Sequence, residues 1–182
     1  MEMTGEQLIP AAQAEVWRGL NDPEILKACI TGCESIEKLT GTEYAIVTTA
    51  AIGPVKARFR GKLLLADLDP PNSYSLSFDG QGGAAGFGKG SAKVSLATEA
   101  AGTRLSYTVK AQVGGKLAQI GSRLIDGVAK KMADDFFAAF NRKMAGPAAV
   151  AAEPTAEAAP GAAPLWWVVA IIAAMFLLDY CT

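Results

Sequence analysis

From Glu34 to Ala111 the apolar residues of this chain recur at every second position, and from Lys116 to about Met144 they recur at helical spacing with nothing to break a helix. That change of period confines the fold more than any other feature. Val55–Leu65 is the clearest strand: Val55, Ala57, Phe59, Gly61, Leu63 and Leu65 face one way, and Lys56, Arg58, Arg60 and Lys62 the other. Ser35–Leu39 and Glu43–Ala51 flank the turn Thr40-Gly41-Thr42, and Asp69-Pro70-Pro71-Asn72 turns the chain into Tyr74, Leu76 and Phe78. Two more strands carry Ala92, Val94 and Leu96, then Leu105, Tyr107, Val109 and Ala111. Upstream, Met1–Pro10 reads as a strand, and Ala14–Leu20 and Pro23–Cys29 as short helices, with Asp22 capping the second. An antiparallel sheet solvated on one side needs its apolar side covered. The last segment, at ~1.5 Å per residue more than about 40 Å of helix, is long enough to do it. The expected architecture is α+β: a curved antiparallel sheet of about seven strands gripping a long C-terminal helix.

A helix-grip leaves room between sheet and helix, and small residues on the inner strand faces (Ala57, Gly61, Ala92, Ala111) point to an open hollow. Gly121 in the helix stripe of Leu117, Ile120, Leu124, Val128 and Met132, with Gly127 close by, points the same way. A helical glycine costs ~1 kcal/mol relative to alanine and is kept for close approach or space.

Composition removes several function classes. The chain has no histidine, which excludes Ser-His-Asp and Cys-His hydrolases and His-ligated metals. Its three cysteines, Cys29, Cys33 and Cys181, cannot form an all-thiolate zinc site or a disulfide scaffold, and no metal site is expected. Cys29 and Cys33 form C-x₃-C, not the redox spacing, and Cys29 is expected to pack inward. No carboxylate pair stands out as an acid–base dyad, so no catalytic residue is assigned. All 17 basic residues lie at or before Lys143, against fifteen acids there, a balance of +2 that does not argue for nucleic acid.

Gly80–Ser91 contains G-x₄-G-K, but Gly90 follows where a P-loop has Ser or Thr, and strands lie on both sides. The run reads as a glycine-rich hairpin loop, or as a gate over the hollow with Phe87 as its lid. Lys56, Arg58, Arg60 and Lys62 share the outer sheet face with Arg104 and Lys110; they form either a solvated face or a basic docking face for an anionic leaflet or acidic partner.

Composition divides the chain into a folded domain (residues 1–145), a linker (146–164) and an apolar tail (165–182). The linker holds nine alanines and four prolines, Pro147, Pro154, Pro160 and Pro164, and spans roughly 25 Å as a coil or up to roughly 60 Å if polyproline-like. Leu165–Leu178 is 14 uncharged apolar residues, including Ile171, Ile172, Phe176 and Leu177, with Trp166 and Trp167 at one end and Tyr180 at the other as interfacial anchors. As a helix this segment covers about 21 Å, so it either dips into one leaflet or spans with its flanks. MEMTGEQLIP shows no secretory signal. The expectation is a cytoplasmic-side domain held on the inner membrane by a single C-terminal anchor.

Met3-Thr4-Gly5-Glu6, Val16-Trp17 through Leu20-Asn21-Asp22-Pro23, Gly32-Cys33-Glu34 and above all Gln112 to Asp126 (QVGGKLAQIGSRLID) resemble the carbon monoxide dehydrogenase G-subunit family, of the START/polyketide-cyclase-like (SRPBCC) superfamily. The resemblance runs from Met3 to about Phe140; it departs at Thr31, where the pattern has proline. It implies a non-catalytic, membrane-associated accessory of carbon monoxide dehydrogenase that links the enzyme to the respiratory chain. It also implies a hydrophobic ligand, a respiratory quinone (menaquinone or ubiquinone), in an apolar cavity, with no covalent cofactor. By alternation, Phe59, Leu63, Phe78, Phe87, Tyr107, Leu117, Ile120, Gly121, Leu124 and Val128 are expected to line it, with Tyr107, Gln112 and Gln119 as ring partners. The competing reading is a recruitment or assembly factor for the dehydrogenase that carries no ligand.

Overall fold

The computed structural model describes residues 1–146, so the tether from Pro147 and the expected anchor Leu165–Tyr180 lie outside the described residues. Strand β1 (Glu2–Ile9) leads into helices α1 (Gln13–Leu20) and α2 (Pro23–Cys29). Six strands follow: β2 (Cys33–Lys38), β3 (Glu43–Ile52), β4 (Val55–Asp69), β5 (Ser73–Gln81), β6 (Phe87–Glu99) and β7 (Gly102–Gly114). A short helix, α3 (Lys116–Gln119), precedes α4 (Ser122–Met144). The strands form one sheet in the order β1-β7-β6-β5-β4-β3-β2. Every neighbouring pair is antiparallel, as the period-two pattern required.

Local chemistry explains the helical entry. The Asp22 carboxylate accepts from the backbone N–H of Glu24 at 2.9 Å and of Ile25 at 3.4 Å, with Pro23 opening α2. Gln13 fastens α1 to the sheet: its Nε2 donates to the carbonyl of Leu96 at 3.0 Å and its Oε1 accepts from Thr98 at 2.8 Å. The fully buried Thr103 hydroxyl donates to the Ala11 carbonyl at 2.7 Å. The core gathers at this end, where Ile9, Val16, Leu20, Cys29, Leu96 and Leu105 enclose Phe137 and Phe140 of α4. Trp17 meets Tyr74 edge-on at 5.5 Å, and Tyr107 stacks on Phe137 at 5.3 Å.

Two expectations change. The single helix from Lys116 breaks at Gly121, whose φ of +96° lies in the region only glycine enters freely; what continues is a 23-residue α4, about 34 Å long. The glycine-rich run is not an open loop. β5 extends to Gln81 and β6 begins at Phe87, leaving one turn of 3-10 helix at Gly83–Ala85 between them. Strand pairing accommodates glycines that local composition assigns to a loop.

Candidate functional site

The inner face of the sheet is a stack of side-chain rows that shrink from one end of α4 to the other. Under its C-terminal half, Tyr74, Val94 and Tyr107 are register partners, and next to them lie Leu65, Leu76, Ala92 and Val109. One row further come Tyr44, Leu63, Phe78, Gly90 and Ala111. Beyond that row, Gly61, Gly80 and Gly88 pair with one another on three adjacent strands, with Ile46 and Val113 at the two ends. At ~4.8 Å between strands this is a strip of bare backbone about 10 Å across. A side chain at Gly88 would meet nothing within 4 Å and one at Gly80 only the Gly88 carbonyl at 3.7 Å, whereas one at Gly61 would strike the Asp79 carbonyl oxygen at 2.7 Å, so the open part of the row is Gly80 and Gly88. Two phenylalanines flank the strip and lie down on glycines: Phe59 on Gly82, just past the end of β5, and Phe78 on Gly90 of its own row, where an added Cβ would meet the ring at 2.8 Å.

The space so left is an apolar hollow in two compartments. The first, about 360 Å³, is walled by Leu20, Leu26, Ile30, Tyr44, Leu65, Leu76, Val94, Leu105 and Tyr107, and roofed by Met132, Phe136 and Phe137 of α4. The second, about 320 Å³, lies over the glycine strip between Ile46, Thr48, Ile52, Phe59, Phe78, Val113 and Leu117. Both touch Leu63 and Met132, so these two side chains stand where the compartments meet.

Polar groups are few. In the first compartment Tyr44 donates its hydroxyl to the Asn21 carbonyl at 3.1 Å, and burial pushes the Tyr74 phenol far up. Tyr107, raised by burial and then by Asp134, has its ring tip against Gly5. In the second compartment Lys62 and Asp79 contribute from strands that turn their side chains outward, to Glu43 and Gln81. Thr48 remains: it faces inward in the series Tyr44, Ile46, Thr48, and its Oγ is sealed from solvent with no hydrogen-bond partner. An unpaired buried hydroxyl beside an apolar hollow is short of one acceptor.

Of the residues expected to line the hollow, Phe59, Leu63, Phe78, Tyr107 and Leu117 lie on its walls. Phe87, Ile120, Gly121, Leu124 and Val128 do not, nor do the two glutamines expected to hold a ring. Val128, half-buried on α4, is on neither wall. Phe87 has the parity of the outer face, seats its ring on Gly114 and meets Lys89 at 5.9 Å, so it is no lid. Gln112 is exposed on the outer face beside Lys89, and Gln119 is exposed on α3. Gly121 is the break between helices and faces open space. Ile120 and the 45% exposed Leu124 rest over Gly53 in the β3–β4 turn, where the end of α4 meets the lip of the sheet. Sequence reading missed Thr48, Gly80, Gly88, Phe136 and Phe137. The inward parity of β3 could have found Thr48.

Among the described residues half of the outer-face strand cations, Arg58, Lys62, Arg104 and Lys110, are paired. Arg58 meets Glu34 at 2.6 Å, Lys62 meets Glu43 at 2.9 Å and Arg104 bridges Glu6 and Glu99, while Lys56 and Arg60 have no carboxylate within reach among the described residues. The Thr49 hydroxyl and then Arg58 hold the Glu34 carboxyl below its ordinary range. A shallow groove of about 1050 Å³ lies on this face between Met1, Lys62, Leu64, Lys89 and Lys110. Cys29 is buried and burial raises its thiol, which makes it a packing residue rather than a nucleophile. Among the described residues no cluster of three metal-ligating side chains occurs, and no helix is long and apolar enough to cross a membrane.

Several solved structures share the fold. A conserved protein from Geobacillus kaustophilus is 35% identical, with a TM-score of 0.75 over 80% of this chain and 95% of its own. The match takes in almost the whole of that relative's chain. A protein from Thermus thermophilus (19% identity, TM-score 0.59, 79% of this chain and 97% of that one) and Ara h 8.0201 (16%, 0.58, 79% and 97%) share the architecture alone. No curated protein matches the sequence. The carbon monoxide dehydrogenase G-subunit family, CoxG, matches residues 5–145.

Proposed function

The chain belongs to the carbon monoxide dehydrogenase G-subunit (CoxG) family, and from that premise we propose that it is a membrane-anchored accessory of carbon monoxide dehydrogenase that carries a respiratory quinone. The observation that supports the carrier is the two-compartment hollow. Its walls are aliphatic and aromatic, and burying an isoprenoid chain there gains ~25 cal/mol per Å² of apolar surface removed from water. Quinone leaves the bilayer, enters under α4 past the exposed Leu124 and Met132, and is presented to the dehydrogenase. Oxidation of carbon monoxide with water to carbon dioxide releases two electrons and two protons, which convert the quinone to quinol. This chain supplies no reacting group; it shelters, orients and delivers. The tail from Leu165 holds the domain on the cytoplasmic side of the inner membrane, and the linker sets its reach.

The outer-face groove favours a second role, recruitment of the dehydrogenase with no cargo. The two readings separate on one experiment: the chain is purified from a host that makes quinone, extracted into hexane and analysed by mass spectrometry. A carrier yields stoichiometric isoprenoid quinone. An empty protein that still captures the dehydrogenase is a recruiter.

A further inference from the structure

We infer that the end of the domain formed by the β3–β4 turn, α3 and the start of α4 is a docking surface for an anionic lipid bilayer, through which the hollow exchanges its ligand. The inference rests on the carrier reading, which needs a place where hollow and bilayer meet, and adds that place to it. The two ends of the sheet differ in charge. Residues 50–60 and 112–126, at the end that holds this turn and both helix starts, carry Lys56, Arg58, Arg60, Lys116 and Arg123 against Asp126 alone. The turns at the opposite end, within 37–43, 67–72 and 99–104, carry Glu37, Glu43, Asp67, Asp69 and Glu99 against Lys38 and Arg104. Arg58 is held by Glu34, but Lys56, Arg60, Lys116 and Arg123 are exposed and, among the described residues, meet no carboxylate.

The same end is apolar at its tip. Leu124 and Ile120 lie over Gly53, next to the exposed Pro54, and Leu124 is 45% exposed. From there Leu124, Val128 and Met132 follow one another at four-residue spacing along α4, exposed, half-buried and exposed in turn. This apolar rail ends at Met132, which touches both compartments of the hollow. An apolar tip ringed by unpaired cations matches the headgroup layer of an anionic bilayer, where each Lys or Arg adds to binding and a leucine reaches the acyl boundary. An acidic protein would answer the cations and leave the rail without a partner. The chain leaves α4 at Met144, the far end of a helix about 34 Å long, and the sequence of 147–164 allows a reach of up to roughly 60 Å, enough for the opposite end to meet a bilayer.

The test uses the full chain in vesicles. Cys33→Ser and Cys181→Ser, with Cys29 buried, leave one reactive site for an environment-sensitive dye, introduced by Leu124→Cys. A second preparation carries the dye by Leu68→Cys, 42% exposed at the opposite end. In vesicles of phosphatidylglycerol and phosphatidylcholine with brominated acyl chains, the dye at 124 should be quenched and the dye at 68 should not. Pure phosphatidylcholine, or salt of about 1 M, where the Debye length falls to ~3 Å, should remove most of the quenching at 124. Lys116→Gln together with Arg123→Gln should lower the ratio of docked to undocked chain about tenfold, with the amount of chain recovered on vesicles unchanged. Equal quenching at 124 and 68, or none at 124, overturns the docking surface. So does a dye at 124 that ignores vesicles and is shielded only by added carbon monoxide dehydrogenase, which makes this end a protein interface. Hexane extraction of the unlabelled chain keeps the carrier reading separate: quinone present without quenching at 124 overturns the surface alone, and quenching without quinone supports the surface and overturns the carrier.

Discussion

The two halves of α4 share one helix and one polar back, yet they do different things to the sheet beneath them. The C-terminal half ends in Phe137 and Phe140, 8% and 0% exposed, driven into a closed core with Ile9, Val16 and Leu105. The N-terminal half buries only Ile125, leaves Leu124 45% exposed and spans a floor whose central row is glycine. Close packing is therefore concentrated at one end, while the empty volume runs along the sheet, about 360 Å³ beneath Met132, Phe136 and Phe137 and about 320 Å³ over the glycine row. A domain of this size can keep an unfilled hollow because its packing is completed elsewhere along the same helix.

The contrast can be broken most forcefully at Phe140. Phe140→Ala should cost about 3–5 kcal/mol in urea unfolding, whereas Leu124→Ala should change stability by less than ~0.5 kcal/mol. Equal losses would abolish the distinction between the halves. Gly88→Leu comes next: it fills space rather than opening it, so it should cut quinone retained through purification more than tenfold and shift stability by less than ~1 kcal/mol. Hydrogen exchange should sharpen the picture, with amides of 122–130 exchanging faster than those of 134–144 and ligand slowing chiefly the stretch 132–137, whose Met132, Phe136 and Phe137 roof the hollow. The smallest effect is at the lip, where Glu34 bridges β2, β3 and β4 through Thr49 and Arg58. Its carboxyl is depressed in the folded state, so its contribution is present above the ordinary carboxylate pKa and is lost as pH falls through the folded value. Glu34→Gln should remove that portion of the acid sensitivity of unfolding monitored between pH 5 and pH 3.

The strand alternation from Val55 to Ala111 was legible in the sequence because a half-buried sheet writes its period directly into the chain, and it placed Phe59, Leu63, Phe78 and Tyr107 on the correct side. What was not legible depended on register. Gly61, Gly80 and Gly88 lie far apart in sequence and become one feature only when three strands pair, so composition made a loop of the latter two. Phe87 was misplaced for the same reason: once β6 starts there, parity with Lys89 turns it outward. Gly121 looked like a gap in a helical stripe, but a glycine at φ +96° ends a helix instead of thinning it. Thr48 was overlooked because a hydroxyl inside an apolar series carries no signal until its lack of a partner is visible.

The most direct test is a crystal structure of the domain taken from a quinone-producing host without delipidation. The account predicts continuous elongated density that runs through both compartments and passes between Leu63 and Met132. Phe59, Phe78 and Met132 closed over the strip with no density between them would contradict it.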